Sequence, residues 1–411
     1  MDQIILPYGD SKISVPFTGE VSACAFPEPL SDIFSSVEQA LDEPAGCGPL
    51  SDLIPSSGRV AVLVSDLTRG RTAAAILVPA LEYLERHGAG PERTTIYIAS
   101  GMHRGQSPAE IEAQLGESVA GRYRIVQHDA RECSSLVEAG TTSFGTCCLF
   151  NREVSESALV VGVCAVSFHY FAGFGGGRKL ILPGISGEET IMANHRRSLR
   201  EDPAEGLSPG CEPGVLDGNP VHQDMIEGAS FIQAPVFMVC AVAGAGGEPA
   251  FVSAGDMDRA HRIAASKLRE LYTLHPGRRS GIVIASAGGS PKDLNLLQAH
   301  KAIRHASLAV EDGGLLLMAA ACGEGIGSDS LEEDFSGGRE EVPLRVSRRY
   351  TLNSQASMSI YQITGRIEVR LLSRLTAGIL EKFGFGSWKT GEVPSGEILV
   401  ISDSSSFLPV I

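Results

Sequence analysis

The chain has no CxxC pair, no run of basic residues and no apolar stretch approaching the roughly 20 residues needed to cross a bilayer. Its nine cysteines, at 24, 47, 133, 147, 148, 164, 211, 240 and 322, are scattered and odd in number. That pattern argues against a disulfide framework and against a structural zinc site. The adjacent Cys147–Cys148 leaves a redox or metal role open, beside the plainer reading of small buried side chains. Basic residues number 34 against 49 acidic ones, a net charge of −15, so the basic face of a nucleic-acid binder is missing. The opening segment, residues 1–10, has an acid at its second position and no signal-peptide core. The expectation is a soluble, cytoplasmic protein with neither nucleic acid nor membrane as partner. Disorder is excluded as well, because 43% hydrophobic and 20% charged residues are ordinary for a chain with a sizeable core.

Glycine, by contrast, is abundant: 47 of 411 residues, above the average share of about 7%. Many glycines follow expected strands, where loops approach ligands closely. At one domain per roughly 150 residues the length suggests two or three. Short apolar runs alternate with longer amphipathic stretches, the pattern of α/β architecture. Strands are expected over Arg59–Ser65, Thr94–Ser100, Arg122–His128 and Ala158–Cys164, and helices over Thr72–His87, Glu188–Ser198 and Met257–Tyr272. His275-Pro276-Gly277 closes the last helix and sets a boundary near 275. Residues 1–274 then form an N-terminal α/β domain and 275–411 a C-terminal one closing over a substrate. The second unit reads as strand Gly281–Ala287, helix Leu294–His305, strand Gly314–Ala320, further helices and a last strand, Glu397–Ser402. A return of that last strand to the first domain is open. Gly323–Val342, acidic and glycine-rich, is expected to be a mobile loop or lid. No repeat at a fixed period appears. The fold class is two α/β domains with largely parallel sheets and a cleft between them.

Ligands of parallel sheets gather beyond the carboxyl ends of the strands, so the residues following each strand are the candidates. Ser65-Asp66-Leu67-Thr68-Arg69 follows the first, and helix capping would also explain it. Gly101-Met102-His103-Arg104 follows the second, where the histidine is either functional or a hydrogen-bonded loop residue. The fourth leads into Ser167-Phe168-His169-Tyr170-Phe171-Ala172-Gly173-Phe174-Gly175-Gly176-Gly177-Arg178-Lys179. This is no Walker A loop, since Arg178 precedes Lys179 and Leu180 follows it, and the dinucleotide fingerprint fails at Arg178. What remains is a flexible loop holding a lysine beside close-approaching backbone. Such a lysine is either solvated or, having lost its charge, a nucleophile. His195 ends Met192-Ala193-Asn194-His195 on a helix, as a ligand or a hydrogen-bonded residue. Gln298 and Lys301, three apart in Pro291–Lys301, share one helical face, which an ordinary polar surface would also explain.

Taken together, these pieces resemble the nickel-pincer lactate racemase family of 2-hydroxyacid racemases and epimerases. The resemblance runs through most of the chain. It rests on Asp66-Leu67-Thr68-Arg69, Gly101-Met102-His103-Arg104, and Phe168-His169 through Lys179 to His195. Gly218-Asn219-Pro220-Val221-His222 and Pro291–Lys301 complete the set. Its specific part is the lysine ten residues after His169, with His195 sixteen further on.

The resemblance implies a cofactor: a pyridinium-3,5-bisthiocarboxylic acid mononucleotide that binds nickel through one ring carbon and two sulfurs. It implies that Lys179 forms the thioamide link, that His195 is the protein's ligand to nickel, and that His103 and His169 are the acid/base pair. Arg69, Gln298 and Lys301 would hold the substrate, Asp66 would order the site, and Gly175, Gly176 and Gly177 would border the cofactor. Imidazole suits nickel(II) in a square-planar site, and a racemase benefits from bases on both sides of its substrate. The implied partners are a small 2-hydroxyacid and the host's cofactor-biosynthesis proteins. Lactate-specific members carry a tyrosine just before the glutamine, where this chain has Leu297, and the family tends to place proline where it has Gly70. The substrate wall differs, so malate, a longer aliphatic 2-hydroxyacid or a sugar acid is expected rather than lactate. Two other readings compete: a divalent-metal lyase or dehydratase using the same histidines, and a non-catalytic nickel or nucleotide carrier. Neither explains the full set. The lyase leaves Lys179 without a purpose, and the carrier leaves Arg69 and Lys301.

Overall fold

In the computed structural model, residues 2–17, 19–22, 24–67, 71–392 and 396–411 are described. Two six-stranded sheets organise them. The first runs in the order Pro249–Asp256, Val236–Ala243, Leu159–Val166, Val60–Ser65, Thr94–Ala99, Arg124–Gln127, parallel except for its Pro249–Asp256 edge. Val60–Val64, Thr94–Ile98 and Leu159–Cys164 are buried along their whole length, as expected of parallel strands covered on both faces. Helices Ile33–Asp42 and Thr72–Arg86 cover one face, where Val37, Leu41, Ile76 and Leu84 meet Val62, Ile96 and Val161. Met257–Tyr272 packs on the other through Ala260, Ala264 and Leu268, with Asp256 capping its first turn. From Val60–Ser65 the chain steps outward to Thr94–Ala99 and Arg124–Gln127, then returns to the opposite side as Leu159–Val166. That reversal opens a crevice at the carboxyl ends of Val60–Ser65 and Leu159–Val166.

The second sheet, Gly386–Ser387, Glu368–Leu372, Val310–Ala319, Ser280–Ser286, Ile398–Ile401, Gly19–Ser22, is parallel throughout. The strand expected over Glu397–Ser402 therefore sits inside it. A shorter one, Leu408–Pro409, pairs with Thr273–Leu274 instead. The opening residues also belong here: hairpin Asp2–Tyr8/Ser11–Phe17 lays Leu6, Val15 and Phe17 on Ile284, Leu317 and Val400.

Gly323–Val342 departs from the expected loop in having secondary structure and a buried side. It holds helix Asp329–Asp334, capped by Ser328, and a 3-10 turn at Arg339–Glu341. Leu331 and Phe335 are fully buried, and Phe335 lies 4.3 Å from the Phe383 ring. Acidic residues on its outer side masked an apolar inner side. Two neighbouring strands, Val236–Ala243 and Pro249–Asp256, had no counterpart in the sequence reading.

Candidate active site

A cavity of about 330 Å³ opens at the crevice of the first sheet and is closed by the second unit. The first unit contributes Asp66, His103, His169, Gly175, Gly176, Lys179 and His195, and the second Leu297, Gln298 and Lys301. Arg69 lies outside the described residues. Gly177 does not line the cavity: it turns toward His261, whose Cδ2 a Cβ would approach to 2.6 Å.

Each side chain is delivered by local backbone logic. Asp66 comes directly off its strand. Gly101, at φ +56°, makes the turn in which the His103 amide donates to the Ser100 carbonyl at 3.0 Å. Asp66 accepts from His103 Nδ1, leaving Nε2 as that ring's remaining proton acceptor. Asp66 is buried, while the His103 side chain is 48% exposed.

After Leu159–Val166 the chain forms a small ladder, with Phe168–His169 paired to Gly173–Phe174. A Cβ at Gly173 would sit 2.0 Å from the Val215 carbonyl oxygen, so this turn needs glycine. The sequence suggested a flexible loop here; it is buried, with Phe171, Ala172 and Phe174 all in the core. The Gly218–His222 motif explains part of that packing. Asn219 caps helix Pro220–Ala229 with its side-chain oxygen, and its Nδ2 donates to the Phe171 carbonyl at 2.8 Å.

His169 is held on both nitrogens. The Ala172 amide donates to Nδ1 at 3.3 Å, and Nε2 lies 3.1 Å from Lys179 Nζ. A backbone amide can only donate, so Nδ1 is the acceptor and the ring proton belongs on Nε2. Phe171 stands edge-on to His169 at 4.6 Å and carries Lys179 over its face at 5.4 Å. Its ring also meets His195 at 5.1 Å. Burial, helped by the positive charges of Lys179 and His103, pushes His195 down to about 3. Its imidazole is therefore neutral across ordinary pH.

From the opposite side, helix Leu296–Ser307 begins at the Asn295 cap and places Gln298 and Lys301 one turn apart. Lys301 Nζ donates to Gln298 Oε1 at 2.7 Å. Leu297 adds an apolar surface beside them. Sequence reasoning missed the rest of this wall: Ser328, Leu352, Asn353 and Gln355. Asn353 adopts φ +79°, a left-handed conformation that asparagine tolerates, and its Nδ2 donates to Ser328 Oγ at 3.1 Å. Gln355 is fixed by the Tyr350 hydroxyl at 3.0 Å.

Two α/β units thus enclose two histidines, a lysine amine and a glutamine–lysine pair in one cleft, the layout of an enzyme that acts on a small molecule. Comparison with known proteins makes the class specific. Residues 8–207 match the lactate racemase N-terminal domain and residues 276–380 the lactate racemase C-terminal domain. The lactate racemase of Lactiplantibacillus plantarum is 31% identical over 343 residues, covering 82% of this chain and 78% of that one. The lactate racemase of Thermoanaerobacterium thermosaccharolyticum is 30% identical over 342 residues, with the same coverage. The structure of the lactate racemase apoprotein from T. thermosaccharolyticum superposes with a TM-score of 0.89 at 27% identity over the whole of both chains. A Thermotoga maritima protein shares the fold, with a TM-score of 0.73 at 16% identity, covering 94% of this chain and 99% of that one. The chain belongs to the lactate racemase family, and it is an isomerase.

Proposed function

We propose that the chain racemises or epimerises a 2-hydroxyacid other than lactate, using a lysine-tethered nickel-pincer pyridinium mononucleotide. One observation carries the reading: two histidines with assigned nitrogen partners, and the Lys179 amine, share a cavity with a glutamine–lysine pair from the opposite unit.

The residues present suit that cofactor. Lys179 brings the one amine of the loop into the cavity and is the group that can form the thioamide link, with Gly175 and Gly176 beside it. His195 offers a neutral imidazole, a donor suited to nickel(II). Among the described residues no three His, Cys, Asp or Glu side chains converge to hold an ion. A pincer bringing its own carbon and sulfur donors needs only one nitrogen from the protein, whereas a divalent-metal lyase needs several ligands. A carrier has no use for the Gln298–Lys301 pair.

When bound, the pyridinium ring would supply reversible acceptance of hydride from C2, making that carbon a planar carbonyl open on both faces. The protein's own groups manage the protons and the orientation. His103 Nε2 takes the hydroxyl proton, with Nδ1 steadied by Asp66. His169, which lines the same cavity, is the matching acid/base group for the other enantiomer. Lys301 and Gln298 hold the carboxylate, joined by Arg69. Closure of the second unit excludes water, so each proton returns to the substrate oxygen. Leu297 sets an apolar wall, where each methylene changes selection by about 1–3 kcal/mol.

The test is turnover in heavy water, followed by NMR of the product. Inversion without deuterium at C2 is expected. Deuterium appearing in step with turnover would replace hydride transfer by proton abstraction. In a panel of 2-hydroxyacids, lactate as clearly the best substrate would overturn the specificity.

A further inference from the structure

Beside the lysine loop lies a second group of reactive side chains that the racemase reading does not use. Cys164, in strand Leu159–Val166, and Cys240, in strand Val236–Ala243, are direct neighbours in the parallel register. Their sulfurs are 3.6 Å apart and both side chains are buried. Cys164 also lines the cavity wall. The Gly177 amide donates to Cys164 Sγ at 3.0 Å. Beside them Arg178 is fully buried. Its Nη2 donates to the Ala172 carbonyl at 2.8 Å, and its Nη1 lies 3.0 Å from His261 Nε2.

Among the described residues Arg178 makes no ion pair with a carboxylate. Burying a guanidinium without an opposite charge is costly, and His261, pushed well below its usual range by burial and by Arg178, stays neutral. The acidic groups that face Arg178 are the Asp258 carboxylate, which is not hydrogen-bonded to it, and the Cys164 thiol. The hydrogen bond from Cys240, the Gly177 amide and Arg178 all favour its thiolate, while Cys240 is held as the thiol that donates to it. Laterally paired residues of a sheet stand about 4.8 Å apart, inside the Cα range of roughly 4.4–6.8 Å that a disulfide can bridge.

We propose that Cys164 and Cys240 form a reversible dithiol–disulfide pair at the wall of the cavity, oxidised by small hydroperoxides that enter through it. Cys164 attacks the peroxide oxygen and becomes a sulfenic acid, releasing alkoxide or hydroxide. The Cys240 thiol then attacks that sulfur, forming the S–S bond and expelling water. Two electrons leave the pair and reduce one peroxide. Oxidation removes one of the two acidic groups that face Arg178 and weakens the acceptor of the Gly177 amide, so it acts on the residues immediately before Lys179. A Cβ at Gly176 would lie 2.7 Å from the Ala165 carbonyl and 3.1 Å from Cys164 Sγ, which shows how closely that loop rests on the pair.

The test uses the full chain with its exposed cysteines replaced (Cys47→Ser, Cys133→Ser, Cys147→Ser), treated with hydrogen peroxide after reduction. The intact mass should fall by about 2 Da and recover with dithiothreitol, with peptide mapping joining Cys164 to Cys240. In Cys240→Ala, a sulfenic acid trapped by dimedone should appear on Cys164 about tenfold faster than on the buried Cys148 or Cys211. Burial pushes each of these two thiols up to about 12. An unchanged mass, a bridge between other cysteines, or Cys164 reacting no faster than those two would overturn the proposal. The mass measurement on the chain with native Cys164 and Cys240 decides the matter even if Cys240→Ala fails to fold.

Discussion

At the scale of single residues, the site separates orientation from chemistry. Asp66 is buried and fixes one nitrogen of His103, so Asp66→Asn should leave the ring in place but free to choose the wrong tautomer. We expect kcat to fall by roughly 10²-fold, at the low end of the range for acid–base groups, with KM little changed. An unchanged kcat would remove Asp66 from its positioning role. Lys179 and His195 divide another task. Lys179→Ala should abolish the covalent adduct in protein from a cofactor-producing host, read by intact mass. His195→Ala should keep the adduct and lose nickel, read by metal analysis. Equal nickel in His195→Ala and the parent chain would count against the ligand assignment. Asp66, His103 and Lys179 stood out because parallel strands expose ligand-binding residues beyond their carboxyl ends, whereas His195, on a helix, was singled out by its spacing from Lys179 in the family resemblance. The hydrogen bonds that set the tautomer of His169 were not legible. They depend on Ala172 turning back over the ring.

At the scale of elements, helix Met257–Tyr272 was legible to the residue, since Asp256 caps it and its apolar face has a helical period. Val236–Ala243 was not: an eight-residue apolar run has no period to separate a buried strand from a buried helix. The far wall of the cavity was hidden for a different reason. Ser328, Leu352, Asn353 and Gln355 come from separate turns of the second unit and share no motif, and the left-handed Asn353 was the one local signal. Gly323–Val342 was misread because its charge is conspicuous and its buried Leu331 and Phe335 are few. That correction can be measured. Phe335→Ala should cost about 3–5 kcal/mol in urea or guanidinium unfolding, as for a buried aromatic. A loss within about 0.5 kcal/mol, the usual size for a surface site, would restore the loop reading.

At the scale of the whole molecule, burial of histidine dominates the response to acid. His195, His222 and His300 are pushed down to about 3 and His305 to about 4, each mainly by burial. The unfolded chain binds these protons near the usual value of about 6.5 and the folded chain does not. Their contribution is therefore fully present above that value and is lost as pH falls toward the folded values. Stability should begin to drop below about pH 6.5, each histidine adding up to about 1.4 kcal/mol per pH unit. His300 is fully buried and its proton uptake is opposed mainly by that burial, so His300→Leu should flatten that slope by about one proton. A stability flat from pH 7 to 5 would contradict the burial of these rings. The second sheet has a consequence of another kind. Strand Gly19–Ser22 pairs with Ile398–Ile401, about 380 positions later in the chain. At roughly 5–20 residues per second, a ribosome needs about 20–80 s to supply that neighbour. The first sheet is fully synthesised by Asp256 and can assemble in the interval. Folding in the cell is thus staged by translation, and a segment made long before its neighbour waits to find its place.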